Sequence, residues 1–164
     1  NTANPQRVGA DLVANAYAVW QKYRQNTIVV DLGTATTIQL VTAEGVYQGV
    51  AIAPGLKTAA LNLFDNTAQL DEVALESPKS VIGDNTIDAM RSGIVLGHAL
   101  MIDGFIDRIN QEYPALKPIK TILTGGLAGL MQGLVRHEIT IVPELTLEGL
   151  YLALLKCIEV EALA

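Results

Sequence analysis

From Ala10 to Tyr23 the apolar positions Leu12, Val13, Ala16, Val19 and Trp20 recur at helical spacing, which predicts an amphipathic helix entered from Gly9. Thr27 to Val30 is β-branched throughout and predicts a first strand, ending at Asp31-Leu32-Gly33-Thr34 where small and polar residues replace bulky ones. Thr37 to Thr42 and Val46 to Ile52 are two further strands, joined through Ala43-Glu44-Gly45, a short hairpin-type connection with a glycine available for positive φ. Three antiparallel strands in series are expected.

Pro54-Gly55 stops that sheet, and Leu56, Ala59, Ala60, Leu63 and Phe64 trace a helical face towards Leu70, closed by a polar stretch from Asp71 to Lys79. Asn85, with Asp88 three residues on, is placed to cap a long helix in which Ile87, Met90, Ile94, Gly97, Met101, Phe105 and Ile109 recur at spacings of three or four. Unbroken, that helix is about 40 Å long. Gly93, Gly97 and Gly104 each lower its propensity by roughly 1 kcal/mol against alanine, which predicts close packing on another backbone, a subunit interface being one candidate. Thr121 to Leu123 reads as a buried strand, followed by a Thr124-Gly125-Gly126 bend and a helical stretch through Leu130 and Met131, and Ile139 to Val142 is another strand. The last helix, Leu147 to Val160, is apolar on nearly all sides and is expected to be deeply packed, with Cys157 as a small buried hydrophobe. A hairpin series followed by alternating helices and strands is the order of a ribonuclease H-like lobe: an α/β fold with a mixed sheet of about five strands flanked by helices, the unit duplicated in actin-like kinases.

Composition narrows the function classes. A chain of 164 residues suits one domain. Its net charge of −6 and scattered Lys and Arg leave no basic footprint for nucleic acid. Every hydrophobic stretch is broken by Gly, Pro or a charge before the ~18 residues of a membrane span, and Asn1 to Pro5 has no secretory leader, so the expected setting is cytoplasmic, away from membranes.

Chemistry gathers at turns. Asp31-Leu32-Gly33-Thr34-Ala35-Thr36-Thr37 brings backbone amides, three hydroxyls and a carboxylate to one bend, a combination suited to phosphate and an accompanying cation. Taken alone, Asp-x-Gly-Thr is also an ordinary hairpin turn with a solvated Asp. Thr124-Gly125-Gly126 is a second glycine bend, expected at the same open edge of the sheet, with amides at a helix N-terminus aimed at any anion there. Asp11 could serve as a general base beside a substrate hydroxyl, or simply as a favourable charge in a first helical turn. His98 and His137 have no partner at metal-ligand spacing and read as structural, Asp103 and Asp107 as a solvated pair on one helix face, and Tyr47 and Tyr151 as packing residues.

Over almost its whole length the chain resembles type III pantothenate kinases. The matching segments, in order, are Asn4-Pro5 with Val8-Gly9-Ala10-Asp11, Asp31 to Thr37, Gly45-Val46-Tyr47-Gln48-Gly49 and Ala53-Pro54-Gly55. Further on come Ile82-Gly83 with Asn85-Thr86, Ser92-Gly93, Thr124-Gly125-Gly126-Leu127, and Leu145-Thr146-Leu147 with Gly149-Leu150. The resemblance implies transfer of the ATP γ-phosphoryl group to pantothenate, the entry step of coenzyme A synthesis, with ATP carried as its Mg²⁺ complex. It implies Asp11 as the base, with Gly9, Ala10, Leu12 and Thr86 at the substrate, Thr86 being supplied across a dimer interface in family dimers. It implies Gly33, Thr34, Gly125 and Gly126 at ATP and Asp31 on a monovalent cation, K⁺ or NH₄⁺.

Three departures fall near the implied pantothenate site. Leu12 stands where the family has Arg, Thr2 stands where it has Tyr, and a double glycine is reduced to Gly49-Val50. A full-length member also begins with another lobe carrying an Asp-x-Gly-Asn phosphate loop, which nothing here matches. The chain is therefore expected to be a single carboxy-terminal lobe over residues 1–164, working as a homodimer or with a chain that supplies the other lobe. The alternatives are a non-catalytic or regulatory relative that pairs with an active partner, and an actin-like kinase or phosphatase for another small molecule.

Overall fold

The computed structural model describes residues 8–65 and 74–162. Thr2, the Asn4-Pro5 pair, the continuation of the second helix to Leu70 and the start of the polar stretch at Asp71 lie outside them.

The β-branched run forms β1 (Thr27–Leu32), the central strand, nearly all of it buried. β2 (Ala35–Val41) pairs with it antiparallel and β3 (Tyr47–Pro54) pairs antiparallel with β2, the predicted hairpin series. On the other side β4 (Lys120–Thr124) lies parallel to β1, and β5 (Thr140–Ile141) parallel to β4. The resulting order, β3-β2-β1-β4-β5, is the five-stranded mixed sheet expected of a ribonuclease H-like lobe. Gly45 takes φ of +79° in the β2–β3 turn, where a side chain would also meet the Trp20 ring at 2.9 Å.

Strand alternation divides the core in two. Ile28, Val30, Ile38, Leu40 and Leu123 face α2 (Leu56–Asp65), α3 (Thr86–Arg91) and α4 (Gly97–Glu112). Val29, Val41 and Ile122 face α1 (Ala10–Tyr23) and the first residue of α5 (Leu145–Ala162). Asn85 caps α3 as predicted, its Oδ1 accepting from the Asp88 amide at 3.0 Å while its Nδ2 donates to Asp88 Oδ2 at 2.9 Å.

Several expectations are corrected. The long helix runs from Thr86 to Glu112 but passes through a π-helical turn, Ser92–Leu96. With 27 residues and mean hydropathy of 1.2 over its most apolar stretch, it is long and apolar enough to cross a membrane, where the sequence reading expected no such segment. Counting runs of apolar residues missed it because isolated glycines and charges interrupt the run without lowering the average much. Its Ile94, Val95, Ala99, Ile102 and Ile106 are buried against the sheet. Among the described residues its glycines do not pack closely on the backbone of another element: a Cβ at Gly93 or Gly104 would meet nothing within 4 Å, and one at Gly97 only the Ser92 carbonyl oxygen at 4.0 Å.

The stretch through Leu130 and Met131 is a four-residue 3₁₀ turn rather than a helix, followed by an extended Gln132 and by Gly133 at φ of +79°. Asp103 is not solvated: it is buried and accepts from the Arg136 backbone amide at 3.0 Å and from Arg136 Nε at 3.1 Å. Asp107 takes the same guanidinium at 3.1 Å and the His137 ring at 2.9 Å. The largest correction concerns α5, which is not deeply packed. Leu147, Leu150, Tyr151, Leu154, Leu155, Ile158 and Val160 are exposed, and so is Cys157.

Candidate functional site

The carboxyl ends of β1 and β4 lie side by side, with Asp31 paired in register to Thr124 and, across the hairpin, to Thr37. Directly opposed residues share a face, so Asp31, Thr37 and Thr124 all lie on the side covered by α1. The two glycine bends then meet. Gly125 has φ of +90°, and a Cβ there would sit 2.7 Å from Asp31 Oδ1 and 2.8 Å from the Leu32 carbonyl carbon and oxygen. Only a glycine allows this approach. The bend after β1 is braced from the other side, since the Gly55 amide and the Thr58 hydroxyl both donate to the Thr34 carbonyl oxygen, at 3.1 and 2.7 Å. Gly33, Thr34 and Gly126 are left open to solvent, Gly125 half-buried.

Asp31 is held from beneath. Asn15 Nδ2 donates to Asp31 Oδ2 at 2.9 Å, and Thr146 Oγ1 donates to Asn15 Oδ1 at 2.8 Å, so α5, α1 and β1 are linked through one fully buried amide. Burial pushes the Asp31 carboxyl above its ordinary range; the Asn15 hydrogen bond works against this, and the negative charge of Asp11 adds to it. Asp11 therefore lies within electrostatic reach of Asp31. It also reaches Tyr47, whose phenol is raised first by burial and then by the Asp11 charge.

Asp11 stands in the first turn of α1, exposed, with its carboxylate folded back over the helix start. A Cβ on Gly9 would lie 2.5 Å from Asp11 Oδ1, a contact the exposed carboxylate relieves by turning aside. Ala10 is exposed beside it, whereas Leu12 turns inward and is buried. Thr86 is exposed at the head of α3, on the helix that covers the opposite face of the sheet. The fold thus gathers Asp11, Asp31, Thr34, Gly33, Gly125 and Gly126 at one edge, and it does not place Thr86 among them within one chain.

Sequence reasoning missed Asn15 and Gln39 around this edge, while its structural reading of His98 holds. Asn15 is four residues after Asp11 on the same face of α1, a spacing that would have linked the two. Gln39 is fully buried on the α1 side of β2, and among the described residues neither its side-chain atoms nor the Thr37 and Tyr47 hydroxyls have a hydrogen-bond partner. Tyr47 packs against the α1-side core, as expected. His98 Nε2 lies 3.2 Å from Thr36 Oγ1 and 3.1 Å from the Pro54 carbonyl oxygen, pinning α4 to the strands that flank the phosphate-type bend. Burial holds its imidazole below the usual histidine range, against hydrogen bonds to the Pro54 and Ile94 backbone.

Among the described residues no group of three or more His, Cys, Asp or Glu side chains is gathered to hold a metal ion. One or two carboxylates completed by phosphate oxygens is a common way to hold Mg²⁺ beside a nucleotide. Asp31, with Asp11 near it, fits a cation that arrives with phosphate better than a closed protein cage.

The sequence profile of the type III pantothenate kinase family matches residues 1–108. A type III pantothenate kinase of Desulfosudis oleivorans is 45% identical over 149 residues, covering 90% of this chain and 58% of the relative. One from Rhodospirillum rubrum is 47% identical over 146 residues, covering 89% of this chain and 56% of the relative. The chain spans somewhat more than half the length of the curated relatives it matches. Among solved structures, a conserved Baf family protein of Campylobacter jejuni, titled a transcriptional activator, superposes with a TM-score of 0.63 at 23% identity, over 90% of this chain and 63% of that one. The activator of 2-hydroxyisocaproyl-CoA dehydratase from Clostridium difficile, solved with bound ADPNP, gives 0.50 at 13% identity, over 85% of this chain and 62% of that one. These likenesses place the fold with the actin-like ATPases.

Proposed function

This chain belongs to the type III pantothenate kinase family, and we propose on that footing that it is one lobe of an ATP-dependent kinase that phosphorylates pantothenate, the complementary lobe closing the nucleotide cleft. The observation that carries the reading is the contact of the two glycine bends over Asp31, with the Asp11 carboxylate in electrostatic reach. In the proposed reaction the pantothenate hydroxyl oxygen bonds to the γ-phosphorus, the bond to the β,γ-bridging oxygen breaks, and ADP leaves. Asp11 takes the hydroxyl proton. The Thr34 hydroxyl and the amides of Gly125 and Gly126 donate to phosphate oxygens, while the Gly33 amide, which donates to the Ala35 carbonyl oxygen at 3.1 Å, holds the bend in shape. Asp31, buttressed by Asn15, would hold a monovalent cation, and that cation and Mg²⁺ would supply charge neutralisation to the nucleotide.

The test is pantothenate-dependent ADP release by the chain assembled with the remaining length of a relative. Asp11→Asn should lower turnover at least ~100-fold, the lower end of a positioned base's contribution, while leaving the melting temperature unchanged, because Asp11 is exposed. Equal rates with and without pantothenate, or wild-type turnover in the variant, would refute the proposal.

A second reading is a non-catalytic relative that pairs with an active partner. It is favoured by Leu12, which is buried and uncharged where the family pattern has a cation. Calorimetry separates the two, since an Asp11-dependent affinity for pantothenate belongs to the enzyme alone.

A further inference from the structure

A helix on the surface of a domain ordinarily shows one apolar stripe to the core and a polar face to water. α5 shows two. Leu145, Gly149 and Leu152 form the first, turned towards α1, and the approach there is so close that a Cβ on Gly149 would fall 2.0 Å from the Ala14 carbonyl oxygen. The second lies on the opposite side of the helix. Leu147, Leu150, Tyr151, Leu154, Leu155 and Ile158 follow the spacing 0, 3, 4, 7, 8, 11 of a single helical face, and each is between 39% and 61% exposed. Taking ~200 Å² for a fully exposed large apolar side chain, the stripe offers about 650 Å² to water, slightly above the ~300–600 Å² of the largest patch on a typical monomer. It approaches the ~800 Å² that each partner buries in a stable interface.

We infer that this outer stripe of α5 is the docking surface for the polypeptide corresponding to the part of the relatives' length that this chain does not span. The length accounting names the occupant. Some 90% of this chain aligns with the Desulfosudis oleivorans relative, yet only 58% of that relative is matched, so a segment of domain size stands outside the alignment. A surface that approaches interface size suits a partner of domain size. The remaining faces of α5 supply what borders such a contact: Lys156 and Glu159 pair at 3.2 Å, and Glu148 is 2.5 Å from the Lys22 ammonium of α1. The Gly149–Ala14 approach and the Thr146–Asn15 hydrogen bond fix α5 on the same helix that carries Asp11. A lobe seated on α5 is therefore held in a fixed relation to the candidate site. The inference rests on the two-lobed reading above and assigns its contact surface.

Cys157, exposed and three residues beyond Leu154, is the chain's single cysteine and reports on this surface. The 164-residue chain is co-expressed with the tagged segment of the Desulfosudis oleivorans relative that has no counterpart here, and Cys157 is alkylated with N-ethylmaleimide in the chain alone and in the purified complex. The segment should co-purify, and alkylation should slow at least tenfold in the complex. Leu150→Lys with Leu154→Lys should cut co-purification at least tenfold while leaving the circular dichroism and melting of the chain alone unchanged, since both side chains are already in water. Failure to co-purify, undiminished Cys157 reactivity in the complex, or a complex indifferent to the two lysines overturns the assignment. So does sedimentation of the chain alone as a dimer that protects Cys157 and is split by the lysines, which would give the stripe to a second copy. A complex that protects Cys157 but transfers no phosphoryl group would leave this surface standing and remove the proposed reaction; turnover with Cys157 still reactive would do the reverse.

Discussion

Replacing Gly125 with alanine tests whether the two bends are as tightly joined as the structure shows. The new methyl group meets two obstacles. At φ of +90° the backbone is in the region L-residues avoid, a cost of roughly 1–2 kcal/mol. The Cβ would also stand 2.7 Å from Asp31 Oδ1 and 2.8 Å from the Leu32 carbonyl group. The carboxylate can swing aside, but Leu32 is buried in the central strand and cannot, so an overpacking cost of about 1–3 kcal/mol is added. Together these come to ~2–5 kcal/mol, a fall in melting temperature of about 4–20 °C at ~2–4 °C per kcal/mol for a chain of this size. Gly126→Ala is the control, because a Cβ there meets nothing within 4 Å. Thermal unfolding by circular dichroism reads the stability, and titration with a fluorescent ADP analogue of the assembled protein reads the site. Gly125→Ala melting within ~2 °C of the unsubstituted protein would refute the geometry of the joined bends. A large loss in Gly126→Ala would refute the idea that position 125 carries the constraint.

Stability should decline as pH falls below the unfolded histidine value of ~6.5, because the unfolded chain takes up a proton there while buried His98, with its depressed folded pKa, resists one until lower pH. Melts of His98→Gln across that window should show a shallower decline, and an unchanged slope would count against the assignment. Asn15→Leu should cost about 1–3 kcal/mol by leaving a buried partner unsatisfied. The loss should be larger at neutral than at acidic pH: with its lowering partner gone the Asp31 carboxyl is raised further, so stability is retained where Asp31 is protonated and lost as pH rises through its folded value. A loss independent of pH would show that Asn15 does not act through Asp31.

The strands were legible because β-branched runs and a Gly45 turn encode them locally, and the Asp31 to Thr37 bend because its residue types are unusual together. Its partner bend at Gly125 was placed correctly, but the helix expected after it is a 3₁₀ turn, since Gly129 and Gly133 remove the propensity that Leu130 and Met131 suggest. The α5 error has a different origin. Hydropathy reports what a helix would bury, not whether the surface that buries it belongs to the same chain, so Leu150 and Leu154 read as core and stand in water. Asn15, Gln39 and Asp103 were invisible for a shared reason: a polar residue buried by tertiary packing carries no local mark.

The Thr146–Asn15–Asp31 link has a consequence for the order in which the protein takes shape. Asp31 and Asn15 are 16 residues apart, but Asn15 and Thr146 are separated by 131. The hairpin strands close over short distances and can form early, whereas the last support of Asp31 waits for nearly the whole chain to be made and for its final helix to settle. A ribosome-bound chain ending before Thr146 would hold most of the sheet and yet present an Asp31 whose buttress is incomplete.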